Sequence, residues 1–99
     1  MTIEKAINGS AAVLKIDGVL DTETAPELES VLDSSELAGI VDLTLDFEQV
    51  EYVSSAGLRV ILKQQSLMNR KGKMKIIHVN ESGLEIFEIT GVTGIMAIE

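Results

Sequence analysis

The sequence predicts an α/β fold: a mostly parallel sheet of about five strands, edged by an N-terminal antiparallel hairpin, with helices mainly on one face. Three observations predict it. Val41, Leu43, Leu45 and Phe47 alternate with Asp42, Thr44, Asp46 and Glu48, a period of two that sends apolar and polar side chains to opposite faces of a strand. Strand-like segments then alternate with helix-like ones, a pattern that folds through right-handed crossovers into parallel ladders. Near the start, Asn8-Gly9 separates two short alternating segments and marks a hairpin. The order β-β-α-β-α-β-α-β excludes all-helical and β-sandwich folds, and 99 residues hold one domain, residues 1–99.

Each element has its own signal. Thr2 to Ile7 and Ala12 to Asp17 read as the hairpin strands, with Ala12, Leu14 and Ile16 on one face and Lys15 and Asp17 on the other. Thr24-Ala25-Pro26-Glu27 fits a capping box, Thr24 as N-cap and Glu27 at the third helical position. Pro26 is harmless there because a first-turn amide has no intrahelical acceptor. Ala25, Leu28, Val31 and Leu32 follow at helical spacing. The alternation at Val41 to Phe47 belongs to a sheet covered on one side only. Gly57 to Arg70 is the second helix, with Leu58, Ile61, Leu62, Gln65 and Met68 along its core stripe, and Gly72 ends it. Lys73 to Val79 forms the next strand, Asn80 caps a third helix running to Gly91, and Ile95 to Ile98 closes the sheet.

Composition narrows the function. Sixteen acids against eight bases give a net charge of −8, the wrong sign for gripping nucleic acid through its phosphates. With no cysteine and one histidine, His78, thiolate metal sites, cysteine nucleophiles, zinc clusters and Ser/His relays lack their parts, so no cofactor or metal is expected. The longest uncharged stretch near the C-terminus, Ile89 to Ile98, is half of the roughly 20 residues a membrane span requires. Met1-Thr2-Ile3-Glu4-Lys5 has an early acid and no apolar run, so no signal peptide and a cytoplasmic location are expected. The charge is also uneven: all six bases between Val53 and Asn80 stand without an acid among them. Such a stretch is either a docking face for an acidic partner or a solvated helix face neutralising nearby carboxylates.

Tyr52-Val53-Ser54-Ser55-Ala56-Gly57-Leu58 lies where the third strand hands over to the second helix. A serine there would cap the helix, accepting from an amide two or three residues on, worth about 1 kcal/mol. Gly57 would let other backbone come close. Ser54-Ser55-Ala56-Gly57-Leu58-Arg59-Val60-Ile61-Leu62 resembles the signature of the STAS domain, found in bacterial anti-sigma factor antagonists. Gly18-Val19-Leu20-Asp21 resembles the Gly-x-apolar-Asp segment before the first helix of that family. Gly72-Lys73-Met74-Lys75-Ile76 and Thr90-Gly91-Val92 sit where the family has a glycine-led strand and a Thr/Ser-Gly turn.

The resemblance implies a regulatory binding protein and not an enzyme. In that family the unphosphorylated antagonist binds an anti-sigma factor and frees the sigma factor. The anti-sigma factor is often a serine kinase that phosphorylates the antagonist just before the second helix, and a serine phosphatase resets the switch. Carried over two residues before Gly57, the acceptor position is Ser55, with Ser54, where many members have aspartate, as the second candidate. The resemblance also places Asp21 on the same sheet rim, bonded to the loop, contacting the kinase or serving as a plain turn aspartate. Partner contacts are expected from Asp21, Ser54, Ser55, Ala56 and Gly57, and from Arg59 and Lys63 one turn apart on the second helix. A phosphoserine carries about −1.5 to −2 charges at neutral pH. At Ser55 it is expected over the amides of Ala56, Gly57 and Leu58, tolerated by the fold and repelled by a nucleotide-bearing kinase.

Other classes fit less well. A hydrolase would need a base, and His78 falls in a strand with no serine-elbow motif around Ser55. Acyl carriers are helical bundles, against the alternation at Val41 to Phe47. A sugar-uptake phosphocarrier would need a histidine at a helix N-terminus. The remaining alternative is a STAS module without a phosphate switch, in a sensor or lipid-transport assembly.

Overall fold

The computed structural model describes residues 1–89, 91 and 97–99, with only the backbone of Ser82. Its elements are β1 (Thr2–Asn8), β2 (Ala11–Leu20), α1 (Ala25–Leu32), a short 3₁₀ turn (Ser35–Leu37), β3 (Asp42–Val53), α2 (Ser55–Lys71), β4 (Lys73–Ile77), α3 (Glu81–Ile89) and β5 (Ala97–Ile98). The strands lie in the order β1-β2-β3-β4-β5. β1 pairs antiparallel with β2, and every later pair is parallel.

That order explains why the helices gather on one face. Each crossover from β2 onward steps to the next strand in the same direction, and right-handed connections then place every helix on the same side. Ala12, Leu14 and Ile16 of β2, Leu43, Leu45 and Phe47 of β3, and Met74 and Ile76 of β4 point into that side. They meet Leu28 and Leu32 of α1, Leu58, Ile61 and Met68 of α2, and Phe87 of α3 in one core. Phe47 and Phe87 meet with ring centroids 6.4 Å apart, fixing α3 over β3. The opposite face carries Asp42, Thr44, Lys73 and Lys75 around a shallow depression, with no covering helix among the described residues.

The longest strands run past the expected alternation. In β3 the buried apolar positions go Leu43, Leu45, Phe47, then Val50, then Val53. The pairing with β2 slips twice, between Lys15 and Asp17 and between Gly18 and Val19, each slip giving β3 an extra residue. A β-bulge shifts the side-chain phase by one, which turns spacing two into spacing three at those two points. The strand thereby reaches Val53, immediately before the serine pair.

Several local expectations are corrected. The hairpin loop is Gly9-Ser10, closed by the Asn8–Ala11 pair, and not Asn8-Gly9. Gly9 alone takes the left-handed backbone, φ +62°, the pattern of a turn with glycine in its first central position. Thr24 precedes α1 but does not cap it with its side chain, so there is no capping box. Its backbone is helical (φ −95°, ψ −21°), whereas a capping residue is extended. The Thr24 hydroxyl instead accepts from the Asp21 amide at 2.8 Å and donates to the Val19 carbonyl at 2.7 Å. β4 stops at Ile77, because His78 adopts φ +59° and leaves the ladder. His78 is therefore not a strand residue.

Asn80 does cap α3, its Oδ1 accepting from the Gly83 amide at 2.9 Å. Gly91 follows the helix with φ +76° and donates to the Glu88 carbonyl. The final strand is described at Ala97–Ile98 beside β4. Thr90 and Val92 of the Thr-Gly turn, Ile95 of the expected strand, and Gly94 to Met96 of the apolar tail lie outside the described residues.

Candidate functional site

The C-terminal ends of β2 and β3 meet the first turn of α2. The Ser54 amide donates to the Leu20 carbonyl at 2.8 Å, tying the end of β3 to the end of β2. Ser54 is extended (φ −90°, ψ 172°), as a helix N-cap should be. Its Oγ accepts from the Gly57 amide at 3.3 Å, and its carbonyl accepts from the Leu58 amide at 2.9 Å. Gly57 is buried beneath this turn, so close to Leu20 that a side-chain carbon there would force Leu20 to shift.

This arrangement separates the two serines. Ser54 is half-buried and its oxygen is used in the cap; Ser55 is the first helical residue and is exposed. The amides available to an anion also differ from expectation. Those of Gly57 and Leu58 are already bonded to Ser54, so only the open first-turn amides of Ser55 and Ala56 face the rim. The helix terminus still favours a negative charge there.

Asp21 follows β2 directly and builds the turn into α1. Its Oδ1 accepts from the amides of Glu23 at 2.9 Å and Thr24 at 3.0 Å, and its carbonyl accepts from the Ala25 amide at 2.8 Å. The Thr24 amide, more than any other contact, holds this carboxyl below the usual aspartate range, with the Glu23 amide adding to it against the opposing effect of desolvation. Of the three roles open to Asp21, the turn role is the one its bonds describe.

Arg59 and Lys63 both stand exposed on the outer side of α2. Lys63 reaches Glu29 of α1 at 3.5 Å, an ion pair between two exposed side chains. Arg59 has no ion pair among the described residues, and it lies one turn beyond Ser55 on the same helical stripe. The six bases do not share a face. Lys73 and Lys75 leave the sheet on its uncovered side and pair with Asp42 and Glu99, while Arg59, Lys63, Arg70 and Lys71 belong to α2.

One neighbour was not singled out by sequence as a contact residue. Tyr52 pairs with Val19 at the strand ends and remains 51% exposed, two residues before Ser54. Its signal is its phase: it is the outward residue beside inward Val53.

Comparisons with known proteins bear on the family and the fold. The profile described as the STAS domain matches residues 2–99. An anti-sigma-B factor antagonist of Staphylococcus aureus is 31% identical over 99 residues, which cover 99% of this chain and 92% of that protein. A solved anti-sigma factor antagonist from Mycobacterium paratuberculosis superposes with a TM-score of 0.88 at 18% identity, covering 98% of this chain and 83% of that one. The antagonist SpoIIAA in its unphosphorylated form superposes with a TM-score of 0.84 at 13% identity, covering 99% of this chain and 88% of that one.

Proposed function

The chain belongs to the STAS domain family, and we propose that its residues 1–99 form one such domain acting as an anti-sigma factor antagonist controlled by phosphorylation of Ser55. The observation that carries this reading is the division of labour between adjacent serines: Ser54 closes the helix, which frees Ser55 to present its hydroxyl to a partner. The 31% identity to an anti-sigma-B factor antagonist, over nearly the whole of both chains, supports an anti-sigma factor as that partner.

In this reading the unphosphorylated rim, made of Asp21, Tyr52, Ser54, Ser55, Ala56, Gly57 and Arg59, docks onto an anti-sigma factor and displaces the sigma factor. Where the anti-sigma factor is a serine kinase, its bound nucleotide must come within bonding distance of the Ser55 oxygen. The γ-phosphorus–oxygen bond to the nucleotide breaks, a bond to Ser55 Oγ forms, and the hydroxyl proton passes to a carboxylate of the kinase. The new dianion then faces ADP and that carboxylate at short range. Loss of about 3 kcal/mol in that contact weakens binding more than a hundredfold. Within this domain the same dianion sits at a helix N-terminus with Arg59 one turn away, so the fold retains its shape. A serine phosphatase, by hydrolysing the ester, restores the binding form.

Incubation with the cognate anti-sigma factor kinase and ATP, followed by fragment-ion mass spectrometry, tests the assignment. One phosphate on Ser55 is the expected result. A phosphate on Ser54 would overturn the division between the serines, and no phosphate on either would favour a STAS module that binds without a switch.

A further inference from the structure

Away from the rim, on the uncovered face of the sheet, two carboxylates and the chain's single imidazole converge. Asp46 of β3 is 8% exposed, and its Oδ1 lies 2.9 Å from Nδ1 of His78. Glu48, two residues along the same strand, places Oε2 3.6 Å from that nitrogen. One ligand atom from each of the three residues falls within 4.8 Å of the others.

We propose that Asp46, Glu48 and His78 form a binding site for a divalent transition-metal ion of the zinc type. The two spacings at His78 are of the size found between ligands around one ion. With metal–ligand bonds of about 2.0–2.2 Å, neighbouring ligand atoms stand about 3.4 Å apart in a tetrahedron and about 3 Å apart at a right angle. The two separations at His78, 2.9 and 3.6 Å, bracket those values. Two donors come from β3, and the third stands immediately after the end of the adjacent β4. Asp46 pairs with Ile77 in the parallel ladder, and the His78 amide is held by the Glu99 carbonyl at 3.0 Å.

The donor set decides which ion. One imidazole nitrogen with two carboxylate oxygens suits zinc, nickel or cobalt, whereas magnesium and calcium prefer oxygen alone. The Glu48 amide bond to Asp46 Oδ1 at 3.0 Å fixes the carboxylate's orientation, a role that supporting groups commonly play around metals. Exposed His78 and Glu48 leave the outer coordination positions to water. Binding requires Nδ1 to be free of its proton, so the imidazole takes the tautomer protonated at Nε2. Lys15, paired with Asp46 across the β2–β3 ladder, is the opposing charge, and the ion must outcompete it.

Zinc chloride titrated into the tag-free chain provides the test, because one histidine gives one Cε1 proton resonance in the NMR spectrum. The expected result is saturation at one ion per chain, with that resonance shifting in step with the calorimetric heat. His78→Gln and Glu48→Gln should each weaken binding about tenfold or more. Glu48 is exposed, so its variant keeps the test valid if Asp46→Asn fails to fold. Magnesium at the same concentration should leave the resonance in place. No shift at excess zinc, undiminished binding by His78→Gln and Glu48→Gln, or equal binding of magnesium would each overturn the site.

Discussion

A side-chain carbon on Gly57 would stand 2.5 Å from Cγ of Leu20 and 3.0 Å from the Leu20 carbonyl oxygen. The first turn of α2 therefore rests directly against the end of β2, and this contact sets the height at which both serines emerge.

Gly57→Ala should for that reason destabilise the fold although alanine is the better helix former. Overpacking costs about 1–3 kcal/mol, against about 1 kcal/mol gained in helix propensity. A net loss of about 1 kcal/mol is expected in urea unfolding. An unchanged or raised midpoint would show that Leu20 yields easily and that the contact does not position the rim.

The serines should part company in the same assay. Ser54→Ala removes the acceptor of the Gly57 amide and should cost about 0.5–1 kcal/mol, the low end for caps, since the bond is 3.3 Å long. Ser55→Ala touches no such bond and should stay within about 0.5 kcal/mol of the parent. Equal losses would mean that the cap is shared.

Much of this rim was legible in the sequence, and the part that was not has a physical reason. The alternation from Val41 to Phe47 located β3, and Gly57 with the serine pair located the helix start. The same alternation could not show β3 reaching Val53, because the two bulges depend on pairing with Lys15 to Val19 and erase the period of two. The pattern Thr24 to Glu27 matched a capping box, yet Thr24 is claimed by Val19 and Asp21, contacts that local spacing does not reveal. Which serine would cap was likewise undecided until the backbone of Ser54 proved extended and that of Ser55 helical. His78 lies 32 residues from Asp46, so their pairing needed the β3–β4 register.

Asp21 should make stability depend on acid pH. Its folded pKa is lowered by the Thr24 and Glu23 amides relative to about 3.9 unfolded. Its contribution is therefore present above the unfolded value and is lost as pH falls through the folded one. Thermal melts should show Asp21→Ala less stable than the parent at pH 7, with the gap narrowing toward pH 2.5. A gap independent of pH would indicate that the ionised carboxylate does not hold the turn.

Tyr52 and Lys63 should separate binding from stability. Tyr52 is an exposed aromatic three residues before Ser55, the kind of residue that anchors interfaces, so Tyr52→Ala should weaken anti-sigma factor binding by more than about 1 kcal/mol while leaving unfolding within about 0.5 kcal/mol. Lys63 is engaged by Glu29 in an exposed pair, so Lys63→Ala should change stability by less than about 0.5 kcal/mol. Calorimetric titration with the partner reads the first and urea unfolding the second. Unaltered binding of Tyr52→Ala would remove Tyr52 from the docking surface.

The most direct measurement compares the affinity of the anti-sigma factor for the parent chain, for Ser55→Ala and for the chain phosphorylated stoichiometrically on Ser55. The account predicts equal binding by the first two and at least a hundredfold weaker binding by the third, with unchanged secondary structure by circular dichroism. Equal affinity across all three, or loss of binding accompanied by unfolding, would contradict it.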